Sequence, residues 1–225
     1  MGSWVVERRL VVVAGGLRYP SATRLLADRL AAATRDEANR RGIEPTVEVV
    51  ELREHAHDVT NLLLTGFAAA PLARVQDAIA TADGLIAVPP IFKASYGGLF
   101  KSFFDGLPDE SLVDKPMLIA ASGGTARHSL ALEHAVRPLF AYLRAAVVPT
   151  SVFAAPEDWA AGDGGDPDEE AVADEAPRLA EPSLRTRIDR AARELTDLMQ
   201  RYQAPAPVDP FALRASFEDM LGDAL

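Results

Sequence analysis

The chain has 225 residues, 48% of them hydrophobic, enough for one well-packed core with some length beyond it. It contains no cysteine, which excludes disulfides, thiolate catalysis, zinc–thiolate sites and iron–sulfur ligation, so any redox chemistry must come from a bound cofactor. The formal charge of -10 argues against a nucleic-acid partner; nine of the acids, from Glu157 to Glu175, lie in a stretch without Lys or Arg, and outside it acids and bases nearly balance.

That acidic stretch reads as a solvated loop. No apolar run approaches the roughly 20 residues needed to cross a bilayer, and Met1 to Arg9 lacks the pattern of a signal peptide. A cytoplasmic protein without a membrane partner is expected.

Leu10 to Ala14 is a continuous apolar run ending in Gly15-Gly16, which predicts a strand buried on both faces. Leu25, Leu26, Leu30 and Ala33 then recur at helical spacing from Ala22 to about Arg41, with Gly42 as the stop. Thr46 to Leu52 predicts a second strand, and Arg53 to Pro71 has no clear pattern. Pro71 opens a helix through Ala82; Asp83-Gly84 turns the chain into the strand Leu85 to Val88, which Pro89-Pro90 ends. A helix over Gly98 to Phe104, a strand over Met117 to Ala121, a helix over Leu130 to Arg144 and a fifth strand over Ala145 to Phe153 follow. After the acidic loop, a helix spans about Ser183 to Tyr202, and Pro205 and Pro207 separate it from an amphipathic tail, Pro210 to Leu225. Alternating strands and helices at this spacing imply a doubly wound α/β fold with a five-stranded parallel sheet and helices on both faces, because parallel neighbours need helical crossovers. Ligands of such sheets bind beyond the carboxyl ends of the strands, which draws attention to the loops after the first, third and fourth.

The first loop, Gly15-Gly16-Leu17-Arg18-Tyr19-Pro20-Ser21-Ala22-Thr23, joins a strand exit to a helix start, where unpaired amides and the helix dipole favour a phosphate; the hydroxyls of Ser21 and Thr23 add two donors. Neither the dinucleotide pattern G-x-G-x-x-G nor the P-loop pattern is present, so a monophosphate suits it better than a pyrophosphate. The second loop contains Pro89, Pro90, Ile91, Phe92, Lys93, Ser95 and Tyr96 before Gly97-Gly98: a rigid wall, then room for a flat ligand. The third, Ser122-Gly123-Gly124-Thr125-Ala126-Arg127-His128, presents backbone to the other side of such a ring. Phe103 and Phe104 read as core, while Phe92 fits either core or wall.

These loops carry a family resemblance. Gly15-x-x-Arg18-x-x-Ser21 is similar to the G-S-x-R-x-x-S pattern of the NADPH-dependent FMN reductases, and the second loop resembles their T-P-x-Y-x-x-S-x-x-G-x-L-K-x-x-x-D pattern. The stretches Pro20 to Ala27, Gly98 to Asp105 and Gly123 to His128 look like the actinobacterial FMN reductases that partner luciferase-like monooxygenases, and the likeness covers about Leu10 to Trp159. Gly16 stands where the family often has Ser, Pro89 where Thr is usual, and Lys93 where Asn is common, which puts a cation near the ring edge. The expected organisation is a flavodoxin-like domain over residues 1–203, with an acidic loop at 155–180, and a Pro-linked tail at 204–225. The resemblance implies FMN as cofactor and NADPH, or NADH, as donor, with hydride passing from nicotinamide to flavin N5 and no catalytic side chain. It also implies a homodimer or tetramer and supply of reduced FMN to a monooxygenase.

His55 and His57 lack an evident third metal ligand, His134 reads as structural, and His128 is the histidine placed near the ligand. Arg18, Arg24 and Arg127 are candidates for the extra phosphate of NADPH. The competing readings are a quinone or azo reductase on the same fold, a flavodoxin-like electron carrier, and a non-catalytic α/β module.

Overall fold

The computed structural model describes residues 6–160, 182–202 and 204. The chain runs β1 (Val6–Ala14), α1 (Ala22–Arg40), β2 (Ile43–Glu51), a 3-10 turn (Leu52–His55), α2 (Ala56–Thr65), α3 (Ala70–Thr81), β3 (Gly84–Val88), β4 (Ile91–Phe92), β5 (Ser95–Tyr96) and α4 (Gly98–Asp105). It continues through β6 (Pro116–Ser122), a 3-10 turn (Ala126–His128), a π-helical stretch (Leu132–Val136), α5 (Arg137–Tyr142), β7 (Ala146–Val147), β8 (Val152–Ala154), α6 (Pro156–Ala160) and α7 (Leu184–Arg201). The amphipathic tail and most of the acidic loop lie outside the described residues.

The main sheet is parallel, in the order β2-β1-β3-β6, with β7 and β8 both pairing β6. This flavodoxin-like order reverses direction between β1 and β3, the place where open α/β sheets bind ligands. Strand alternation divides the apolar runs between two cores. Val11, Val13, Leu85, Ala87, Met117 and Ile119 face α2 to α5, whereas Leu10, Val12, Ile86, Val88 and Leu118 face α1 and α7. Phe103 and Phe104 are core, as expected: the Phe104 ring lies 4.8 Å from both Phe100, tilted, and Phe140, edge-on. On the other face α7 lies so close to β3 that a Cβ at Gly84 would stand 2.6 Å from Met199 Sδ.

Several expectations need correction. The fifth strand, expected over Ala145 to Phe153, is two short pieces, because Pro149 has no amide for a ladder. Side chains take over there: Glu194 accepts from the Thr150 amide (2.8 Å) and hydroxyl (2.7 Å), and Arg137 donates to the carbonyls of Val148 and Pro149. The helix expected over Leu130 to Arg144 is broken into the π stretch and α5, since Pro138 cannot donate to the carbonyl four residues back and its ring crowds that carbonyl. The patternless segment from Arg53 holds α2, and the second loop folds into a β4–β5 hairpin that the sequence reading did not foresee. Lys93 and Ala94 form its tip with φ of 49° and 71°, the left-handed conformation that a tight hairpin turn demands.

Candidate active site

The loops leaving β1, β3 and β6 meet at one rim of the sheet and are tied to one another by the backbone. The Gly15 amide donates to the Val88 carbonyl (2.9 Å), and the Ser122 amide donates to the Pro89 carbonyl (3.3 Å). Gly15 is packing rather than lining: a Cβ there would meet Pro90 Cδ at 3.1 Å and Phe100 Cδ2 at 3.2 Å. Together the loops wall an open cavity of about 710 Å³.

Of the expected site residues, Gly16, Arg18, Pro20, Ser21, Ala22 and Thr23 line the cavity from the first loop. Pro90, Ile91 and Phe92 line it from the second, and Ser122, Gly123 and Gly124 from the third. Ser21 caps α1, its hydroxyl accepting from the Arg24 amide at 3.3 Å, and the Tyr19–Pro20 peptide is cis. The amides of Ala22 and Thr23 head the helix, where an α-helix offers no internal acceptor, and no acidic residue stands in its first turn. A Cβ at Gly16 would stand 2.2 Å from Ser21 Oγ, so this glycine leaves the space that the capping hydroxyl occupies.

The remaining expected residues lie outside the lining. Pro89 is buried behind it; Lys93 and Ser95 sit on the hairpin; the Tyr96 ring leans on Phe100, 5.9 Å away, and faces a separate cavity between α4 and α5. Thr125 caps the following 3-10 turn through the Arg127 amide, and His128 stands behind Gly123, its Cβ 3.7 Å from where a glycine Cβ would be. Arg24 is engaged with Asp28 (2.8 Å) and Glu51 (2.5 Å). The hydrogen bond to Asp28 raises its pKa against the opposing effect of burial, with the Asp28 charge and Glu51 adding to the rise. Arg18 and Arg127 are exposed and have no ion pair among the described residues.

Three lining residues escaped the sequence reading: Leu17, Pro156 and Trp159. The last two come from a fourth loop, after β8. Pro156 followed by Glu157 and Asp158 is a helix-start pattern, which would have placed α6 at the same rim had the end of the fifth strand been located.

Among the described residues the lining has one charged side chain, Arg18, and no carboxylate, histidine or lysine. Such a cavity has no acid or base to offer. What it has is a helix N-terminus, hydroxyls and an arginine at one end, and flat or small residues at the other: Phe92, Pro90, Gly123 and Gly124.

Residues 8–160 match the family described as NADPH-dependent FMN reductase. The chain belongs to that family. The FMN reductase (NADPH) of Pseudomonas aeruginosa is 36% identical over 67% of this chain and 78% of its own. The NADH-dependent FMN reductase SfnF of Pseudomonas putida is 37% identical over 66% and 78%. An oxidoreductase from Corynebacterium diphtheriae, known as a crystal structure, superposes with a TM-score of 0.76 at 40% identity, covering 88% of this chain and 99% of that one. This FMN reductase is thus an NAD(P)H:FMN oxidoreductase, and its chain fits the cofactor. The head of α1, where Gly16 leaves room for the Ser21 hydroxyl, would receive a terminal phosphate, and the open space at Gly124, where a Cβ would meet nothing within 4 Å, would admit a ring.

Proposed function

We propose that the enzyme treats FMN as a dissociable substrate and hands the reduced flavin to an FMN-dependent monooxygenase. The observation that carries this is the openness of the ring end. Phe92 stands half-exposed in a lining that also holds the small residues Gly123 and Gly124, which leaves a nicotinamide room to stack. The first loop, Gly16 to Thr23, would hold the phosphate, and Pro90 to Phe92 with Gly123-Gly124 would hold the ring. Bound FMN would supply the hydride-accepting centre, N5. The lining residues would orient the two rings, a task of positioning that needs no proton-transferring side chain. Arg18 and Arg127, both unpaired on the rim, would meet the additional phosphate of NADPH.

The same reading includes a homo-oligomer. Large apolar side chains stand on the outer surface, among them Leu64, Phe67, Leu130 and Tyr142, the last 86% exposed.

The test is anaerobic bleaching of FMN by NADPH and by NADH, followed by gel filtration. Hyperbolic dependence on added FMN, with flavin lost on the column, and oxygenation by an added FMN-dependent monooxygenase are the expected results. Flavin retained on the column and faster turnover with quinones would transfer the assignment to a quinone reductase.

A further inference from the structure

We infer that Trp159 sets the flavin selectivity of this site, admitting FMN and turning away FAD. This rests on the reading of the cavity as the FMN site. FMN ends at its phosphate. FAD carries the same phosphate joined by an anhydride bond to a second, and that second phosphate, the ribose and the adenine must leave the cavity from that point.

That exit is where Trp159 stands. Its indole shares the cavity wall with Ser21 and Ala22 at the head of α1, and the Arg29 guanidinium, two helical turns further along α1, lies over the indole ring at 5.1 Å. The ring therefore lies against the flank of α1, beside the end of the cavity formed by the head of that helix. It is also held in place. The Asp158 carboxylate accepts from the Ala155 amide (2.8 Å) and pairs with Arg187, and Arg187 donates to the Phe153 carbonyl (2.6 Å), so the start of α6 is pinned to the end of β8. Pro156 stiffens the same wall. The strand exit after β1 lacks the glycine spacing that lets a pyrophosphate lie against a helix, so the wall closes a route that the first loop does not favour either.

The experiment compares W159A, W159L and W159F with the wild type, measuring kcat/KM for FMN and FAD with one nicotinamide donor. Opening the wall should raise kcat/KM for FAD in W159A and shift the FAD-to-FMN ratio by about tenfold or more, the scale on which pocket volume discriminates between substrates. W159F should shift it least. A merely structural role lowers both values together, and W159L and W159F keep the ratio readable should W159A fold poorly. The chain has two tryptophans, Trp4 and Trp159, so in a W4F background the emission belongs to Trp159, and FMN should quench it saturably. An unchanged ratio, or FMN turnover without quenching, overturns the inference and leaves the FMN site standing. A fall in FAD turnover greater than that for FMN also overturns it, by making the indole a platform for adenine. Absence of both FMN turnover and FMN binding in the wild type overturns the reading of the cavity itself.

Discussion

The hydroxyls of Thr23 and Ser122 lie 2.7 Å apart and bury each other, with the two residues 3% and 7% exposed. They join the head of α1 to the end of β6 across 99 positions of sequence. Two hydroxyls share one proton in such a bond, so when Ser122 donates, Thr23 keeps its own proton for an anion at the helix start. T23V should therefore weaken FMN about tenfold or more and lower thermal stability, since it strands the Ser122 hydroxyl in a buried place, a loss of about 1–3 kcal/mol. Riboflavin, which lacks the phosphate, should be much less affected. The double variant T23V/S122A should be less destabilised than the sum of the singles. Calorimetric titrations with FMN and riboflavin, with melts of all three variants, check this; equal losses for both ligands would remove Thr23 from the phosphate site.

Gly16 yields a prediction opposite to the family pattern. A serine at position 16 would add a hydroxyl to the loop, but its Cβ would stand 2.2 Å from Ser21 Oγ and 3.3 Å from Thr23 Cβ. Ser21 must then rotate and surrender its cap on the Arg24 amide, a loss of about 1 kcal/mol. G16S should bind FMN more weakly than the wild type and melt earlier. Tighter binding in a titration would show that the loop adjusts without loss.

Lys115 is 1% exposed at the start of β6, donating to the carbonyls of Ala80 (3.1 Å) and Ala82 (2.7 Å). Burial pushes its ammonium down to about 8 from 10.5, and the Asp83 charge opposes the fall. Below pH 8 the lysine is charged in both the folded and the unfolded chain, and folding carries the whole penalty of burying the charge. Between about 8 and 10.5 the folded form has released its proton while the unfolded form retains it, so stability rises with pH, by at most about 1.4 kcal/mol per unit. Urea melts at pH 7, 8, 9 and 10 should show this rise relative to K115M. Parallel curves for the two proteins would contradict it.

The nicotinamide preference should depend on Arg127 and not on Arg24. Arg24 is held by Asp28 and Glu51, whereas Arg127 is exposed on the turn after Gly124. R127A should raise KM for NADPH several-fold and leave KM for NADH nearly unchanged, consistent with an exposed charge-assisted contact of about 1 kcal/mol. Steady-state kinetics with both donors decide; equal effects would place the extra phosphate elsewhere.

Much of this protein is local, and what is local was legible in the sequence. The run Leu10 to Ala14 before Gly15-Gly16, the helix from Ala22, and the buried strand before Pro89-Pro90 each follow from dihedral preference and hydrophobic period, which act over a few residues. Such features predicted the doubly wound sheet, and with it the rim where three loops meet. What neighbours in sequence could not specify was decided by contacts between distant segments. The fifth strand broke at Pro149 because Glu194 and Arg137, brought from two helices, satisfied its backbone instead. Gly15 went to packing against Pro90 and Phe100, and the Tyr96 ring leans on Phe100, because the core behind each loop claimed the space. Trp159 entered the wall only when β8 carried α6 to the rim. Pattern in the chain determined which loops meet at the rim of the sheet; burial and hydrogen bonding across the fold determined which of their side chains line its cavity.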